Sequence, residues 1–283
     1  SVDESVYLPR MVSKGPDAAE IILQLEDGWN RGGRLEQVPV RCLVKSGEVL
    51  TPVDKVSTRT PVPLGKEDDA LMYVLEDILE GPVPERFTLR AADFSNVLKV
   101  RAGRGVLLPD RAIAQVGGTP LQSILHAEWH RLSGELVVYI QTELPFRAEG
   151  ELPVYIVHGK HGWVYGAGHF WPLANLLPGP FHEVYNGPVR ILRPSILRFL
   201  DHELPLIKKD IAVATDIDRE MFVLEPEIPR MHLELRGSQA SIAVTLKADY
   251  GGTLLVAGKP DPEVHFAHPD PQDLFRFTVR NPE

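Results

Sequence analysis

The chain has 283 residues, a formal net charge of −9, 43% hydrophobic and 24% charged residues and one cysteine, an ordinary globular composition. A single cysteine excludes a disulfide scaffold and a multi-cysteine zinc ribbon and fits a reducing cytoplasm, the expected location. No apolar run approaches the roughly 20 residues of a bilayer span, and SVDESVYLPR lacks the basic start and apolar stretch of a signal peptide, so no membrane partner is expected. The 25 prolines and 23 glycines predict short elements and many turns, because an interior proline costs a helix about 3 kcal/mol.

The β-branched runs AEIILQL at 19–25 and VPVRCLV at 38–44 predict two strands around the turn-rich segment Asp27 to Arg34. Val38, Val40, Cys42 and Val44 share one face by the period of two, so Cys42 reads as a core thiol and not a nucleophile. After a proline-rich connector at 51–63, KEDDALMYVLEDILE at 66–80 spaces Leu71, Val74, Leu75, Ile78 and Leu79 by threes and fours. That spacing predicts a helix, stopped by Gly81-Pro82. Its acids at 67, 68, 69, 76, 77 and 80 read as a dipole-favoured first turn and a solvated face. A second helix is expected from about Ala91 to Val100.

From Thr119 onward the pattern is mostly strand: a hairpin around Ser133-Gly134, another from Val154 to Leu173, and a short helix near Pro194 to Ile207 interrupted or ended by Pro205. Short β runs follow at 221–224, 231–235, 241–250, 254–256 and 274–279. The expected fold is α+β and β-rich, mostly antiparallel sheets or a sandwich with a few short helices. An α+β subdomain is expected over 1–118 and a β-rich one over 119–283, with Gly117-Gly118-Thr119-Pro120 at the junction.

Catalytic motifs are absent from the sequence. There is no G-x-x-x-x-G-K-[ST], no G-x-S-x-G and no H-E-x-x-H, so neither catalysis by this chain nor a cofactor is expected. His126 and His130 flank Glu128 on one strand face, and His158, His161 and His169 lie close in sequence. Neither group has a recognised ligand spacing, and both read as surface or groove-lining imidazoles. Two basic windows remain. Arg86, Arg90, Lys99, Arg101, Arg104 and Arg111 oppose only Asp93 and Asp110, a local +4 in an acidic chain, and Arg190, Arg193, Arg198, Lys208 and Lys209 form a second group. They are either solvated faces or contacts to a polyanion or an acidic partner.

The order of features in the C-terminal third resembles the region preceding the motor in bacterial Swi/Snf-type DNA-dependent ATPases of the superfamily two helicases. FLDHELPLI at 199–207 is the short helix with an E-L-P segment, EPEIPRMHLEL at 225–235 the proline-introduced strand, and SIAVTLKADYGG at 241–252 the strand closing on an aromatic-glycine turn. FTVRNPE at 277–283 matches the start of the junction to the motor, and LGKEDDALMYVLEDI at 64–78 the acidic helix start of those N-terminal regions. The resemblance covers about half the chain and carries over no catalytic residue. It implies a non-catalytic regulatory or substrate-positioning module whose partners are its own motor lobes, DNA or a DNA-bound protein, the two basic windows being the contact candidates. The alternative is a stand-alone β-rich protein binding carbohydrate or peptide on a concave face with Trp129, Trp163, Trp171 and Tyr165.

Overall fold

A computed structural model describes residues 7–30, 33–145, 152–238, 240–259 and 267–280. Residues 31–32 of the expected turn and 281–283 of the FTVRNPE segment lie outside these. The protein is β-rich, 45% strand and 21% helix, with mixed sheets, as the proline content dictates. Two compact units form: Ser1–Ile124 with Ile140–Gly187, and Leu125–Tyr139 with Pro188–Glu283. No helix among the described residues is long and apolar enough to cross a membrane.

The first unit is built on a ten-stranded sheet. Glu20–Leu25 and Gln37–Ser46 pair antiparallel, placing Ile21, Leu23 and Leu25 opposite Val44, Cys42 and Val40. All six are buried. The long strand Gln37–Ser46 divides its other edge between Val49–Pro52 and Arg86–Arg90. On the far side the order continues through Gly105–Leu107, Ile113–Val116, His169–Pro172, His161–Gly166 and Val154–His158 to Gly33–Arg34. One sheet therefore draws strands from both sides of residue 118. Gly117-Gly118 is packed within it: the Gly117 N–H donates to the Phe170 carbonyl, and a Cβ on Gly118 (φ +110°) would lie 2.6 Å from the Trp171 ring.

Helix α1 (Lys66–Leu79) and helix α2 (Ala91–Val100) match the expected spans to within a residue. They bury Leu71, Met72 and Leu75, and Phe94, Val97 and Leu98, in the core that holds the sheet. Helix α1 ends where Glu80 turns left-handed (φ 52°) and Gly81 donates back to the Glu76 carbonyl. Trp29, Tyr165 and Phe170 interlock in this core, with ring centroids 4.7 to 5.7 Å apart. Cys42 is fully buried, and that burial pushes its thiol up to about 12. It is a core residue.

The second unit holds the helical run from Ile196 to Ile207. Its middle is a π turn, Phe199–Glu203, immediately before Pro205. The proline lacks the N–H of the α ladder and its ring crowds the carbonyl four residues back, so the helix widens upstream instead of stopping. Ile196, Leu197, Phe199, Leu200, Leu204 and Ile207 are its buried positions. Val223–Glu227 pairs parallel with Arg276–Arg280, and Ala267–Pro269 pairs antiparallel with the same strand. Phe222, Phe275 and Phe277 pack together there, the first two also on Trp129. A separate three-stranded sheet runs Arg230–Ser238, Ser241–Tyr250, Thr253–Val256.

Candidate functional site

Most arginines of the first basic window already have partners. Arg86 lies 3.2 Å from Glu26 and Arg90 2.8 Å from Asp93. Arg104 reaches Glu67 at 2.6 Å and Asp68 at 3.1 Å. Arg101 leaves the surface patch altogether. It is 5% exposed, donates from one amino group to Asp68 at 3.1 Å and from the other to the Gly105 carbonyl at 2.8 Å. Lys99 and Arg111 are the exposed remainder. Of the local +4 read along the chain, two charges are offset in space by Asp68 and Glu67 of α1, 33 to 37 residues away, and one by Glu26.

The same contacts correct the reading of the α1 acids as a solvated face for Asp68, Asp69 and Glu76, whereas Glu67, Asp77 and Glu80 are exposed. Asp68 is 1% exposed, with one carboxylate oxygen on Arg101 and the other on Arg104. Burial pushes its carboxyl up, and the two guanidiniums pull against that. Arg10 clamps two turns of the same helix, with its Nε on Asp69 at 2.7 Å and its two amino groups on the Glu76 carboxylate at 2.5 and 2.8 Å. Tyr73 stacks beneath that guanidinium, 4.8 Å from it. Tyr7, Leu8 and Val12 complete an open cleft of about 470 Å³ whose charged groups are all paired with one another. Glu67, Asp68, Asp69 and Glu76 of this helix are held in structural ion pairs.

The second window lies in the other unit and divides similarly. Arg190 is 3.5 Å from Glu135, and Arg198 3.6 Å from Glu203. Arg193 is a positioning residue for the chain near 270–276. It donates to the Asp270 carbonyl at 2.5 Å and to the Asp273 carbonyl, and stacks over Phe277 at 5.3 Å. Lys208 and Lys209 are exposed just after the helical run.

His126 and His169 each stack on an aromatic neighbour. His126, Glu128 and His130 share the polar side of the strand Ser123–His130. His126 stacks on Tyr139 at 4.9 Å, and the Tyr139 hydroxyl donates to Glu128 at 2.6 Å, which raises the phenol above its usual range. His169 stacks on Trp171 at 3.7 Å, 2.6 Å from the Gly117 carbonyl. Among the described residues, no group of three His, Cys, Asp or Glu side chains is placed to hold a metal ion. His182, a residue the sequence did not single out, is buried 2.8 Å from the Leu177 carbonyl, and burial lowers its affinity for a second proton.

The concave aromatic face is not formed. Trp129, Trp163 and Tyr165 are buried core rings, and the Trp163 indole donates to Ser95 at 3.2 Å. Of the four, Trp171 alone is half-buried. A large exposed apolar surface among the described residues is instead the antiparallel hairpin of Arg230–Ser238 and Ser241–Tyr250, the projecting hairpin. Register places Met231, Leu233 and Leu235 opposite Ala248, Leu246 and Val244, and Gly237 opposite Ile242, all on one face. The other face is charged and internally paired, Glu234 bonding Arg236 at 2.6 Å and Lys247 at 2.5 Å. The sequence reading placed short β runs at 231–235 and 241–250 without distinguishing their two faces. No family model and no curated protein matches the chain.

Proposed function

We propose that the chain is a non-catalytic regulatory or substrate-positioning module of a Swi/Snf-type DNA-dependent ATPase, acting through protein contact with the motor lobes more than through phosphate binding. The observation that supports this reading is that three of the five segments of the resemblance, those at 199–207, 225–235 and 241–252, belong to a single unit, while the segment at 64–78 belongs to the other. FLDHELPLI is the π-containing helix, while EPEIPRMHLEL and SIAVTLKADYGG supply the strands of the projecting hairpin. The preference for protein over DNA rests on charge. Electrostatic attraction to phosphates needs cations free to release counterions. Four of the six basic residues in the first window hold carboxylates, leaving Lys99 and Arg111.

The coding sequence downstream of Glu283 tests the reading. A continuous frame with a G-K-[ST] phosphate loop and helicase motifs is the expected result, and a stop codon at that point overturns it. Where the motor is found, deleting residues 1–283 changes the DNA-stimulated ATPase rate if the module regulates it.

A further inference from the structure

The projecting hairpin presents a face that ordinary folding would cover. Met231, Leu233, Leu235, Ile242, Val244 and Leu246 are 41% to 72% exposed, although they form one continuous aliphatic strip across two strands. Their exposed area is roughly 650 Å², more than the few hundred Å² that a soluble monomer ordinarily leaves in one apolar patch. An isolated two-stranded hairpin is marginal in water and gains stability when its apolar face packs on another layer. The strip meets a buried base at Ala248, Tyr250 and Leu255, so the proximal end is covered and the distal end is not.

We infer that this face is a self-association surface and that its occupant is the same face of a second copy of the chain. Three properties of the strip fit that occupant. It carries no charge, because Arg230, His232, Glu234, Arg236, Lys247 and Asp249 all point the other way, so two copies can meet without stranding an ion. It is flat and aliphatic, the character of the inner face of a β-sandwich, in which side chains of two sheets interdigitate about 10 Å apart. Its area is of the right order: two apposed strips remove at most roughly 1,300 Å² from water, at the lower end of the range of about 1,200–2,000 Å² typical of a specific interface. A two-fold axis through the strip makes the contact isologous and closed, so it ends at a dimer. The net charge of −9 on each chain opposes association at long range, so added salt strengthens the dimer. This inference is independent of the Swi/Snf reading.

Analytical ultracentrifugation of the full chain at about 50 µM, where a micromolar interface is largely occupied, tests it. The expected result is a dimer that tightens with salt. Leu233→Glu and Val244→Glu each weaken it by about tenfold or more, because a charge is then buried against an apolar strip. Ala243→Glu, which adds the same charge on the opposite face beside Arg236, leaves the dimer intact. Hydrogen exchange on the unmodified chain gives a second readout that no folding defect can mimic: protection of 231–236 and 242–247 rises with protein concentration. A monomeric chain overturns self-association. A dimer indifferent to both face substitutions, or protected elsewhere, overturns the assigned surface.

Discussion

Replacing Asp68 with alanine tests the conclusion that the charges between α1 and α2 are structural. The substitution removes the partner of two guanidiniums whose fates differ. Arg104 is partly exposed and keeps Glu67, so its loss is within the 1 kcal/mol or so of a surface pair. Arg101 keeps only the Gly105 carbonyl and has no countercharge at contact distance, and its side chain is 6% exposed. Breaking such a buried pair from one side costs about 3–5 kcal/mol. At about 2–4 °C per kcal/mol for a unit of this size, the melting temperature falls by roughly 6–20 °C. Calorimetry, with denaturant unfolding followed by tryptophan fluorescence, reads the loss, since Trp29 and Trp163 lie in the core of the affected unit. Exchanging both partners in Asp68→Leu/Arg101→Met recovers most of the stability, because no charge is then left unpaired. Asp68→Ala costing under about 1 kcal/mol, or a double variant no better than the sum of its parts, would refute the structural assignment.

Arg101→Glu is expected to unfold the first unit before any effect on nucleic acid can be measured, since it sets a second carboxylate against Asp68; circular dichroism of the variant checks this. Cys42, with its thiol at about 12, resists iodoacetamide in the native protein at pH 8 and is alkylated only after denaturation, as mass spectrometry of the labelled chain will record. Glu85 is held below the ordinary carboxylate range chiefly by the hydrogen bond from Arg41. Its contribution is therefore present above the unfolded-state pKa and lost as pH falls through the lower folded value, so Glu85→Gln gives a shallower acid-unfolding profile than the parent.

Where the sequence could be read, the information was local. The three-and-four spacing of Leu71, Leu75 and Ile78 gave α1 nearly to the residue, and Gly81-Pro82 gave its stop. Alternation in VPVRCLV put Cys42 in the core for the reason the structure bears out: its strand neighbours on that face, Leu23 among them, are apolar. Topology was not local. Gly117-Gly118 reads as a junction because glycine pairs mark loops, and it is a loop just past the strand Ile113–Val116, but there the close approach of Trp171 demands glycine at 118 while the chain goes on within the same sheet. The pairing of Ile113–Val116 with His169–Pro172 leaves no sequence signature, because parallel contacts between distant segments have no turn between them.

The candidate surfaces illustrate the same limit from the side of charge and burial. A window of arginines has a local sum, but its field depends on which carboxylates the fold carries across, and Asp68 and Glu67 come from a different helix. Period-two alternation in MHLEL and SIAVTL likewise specifies two faces without specifying what covers either of them. In Glu20–Leu25 the apolar face packs into the core shared with helices α1 and α2, and Leu23 is wholly buried. In the projecting hairpin an equally regular face, with Leu233 at 61% exposure, meets no layer of its own chain among the described residues. Identical patterning thus has opposite consequences. The hydrophobic effect that buries Leu23 within the chain acts on Leu233 with the same sign, and a surface of another molecule is what can satisfy it.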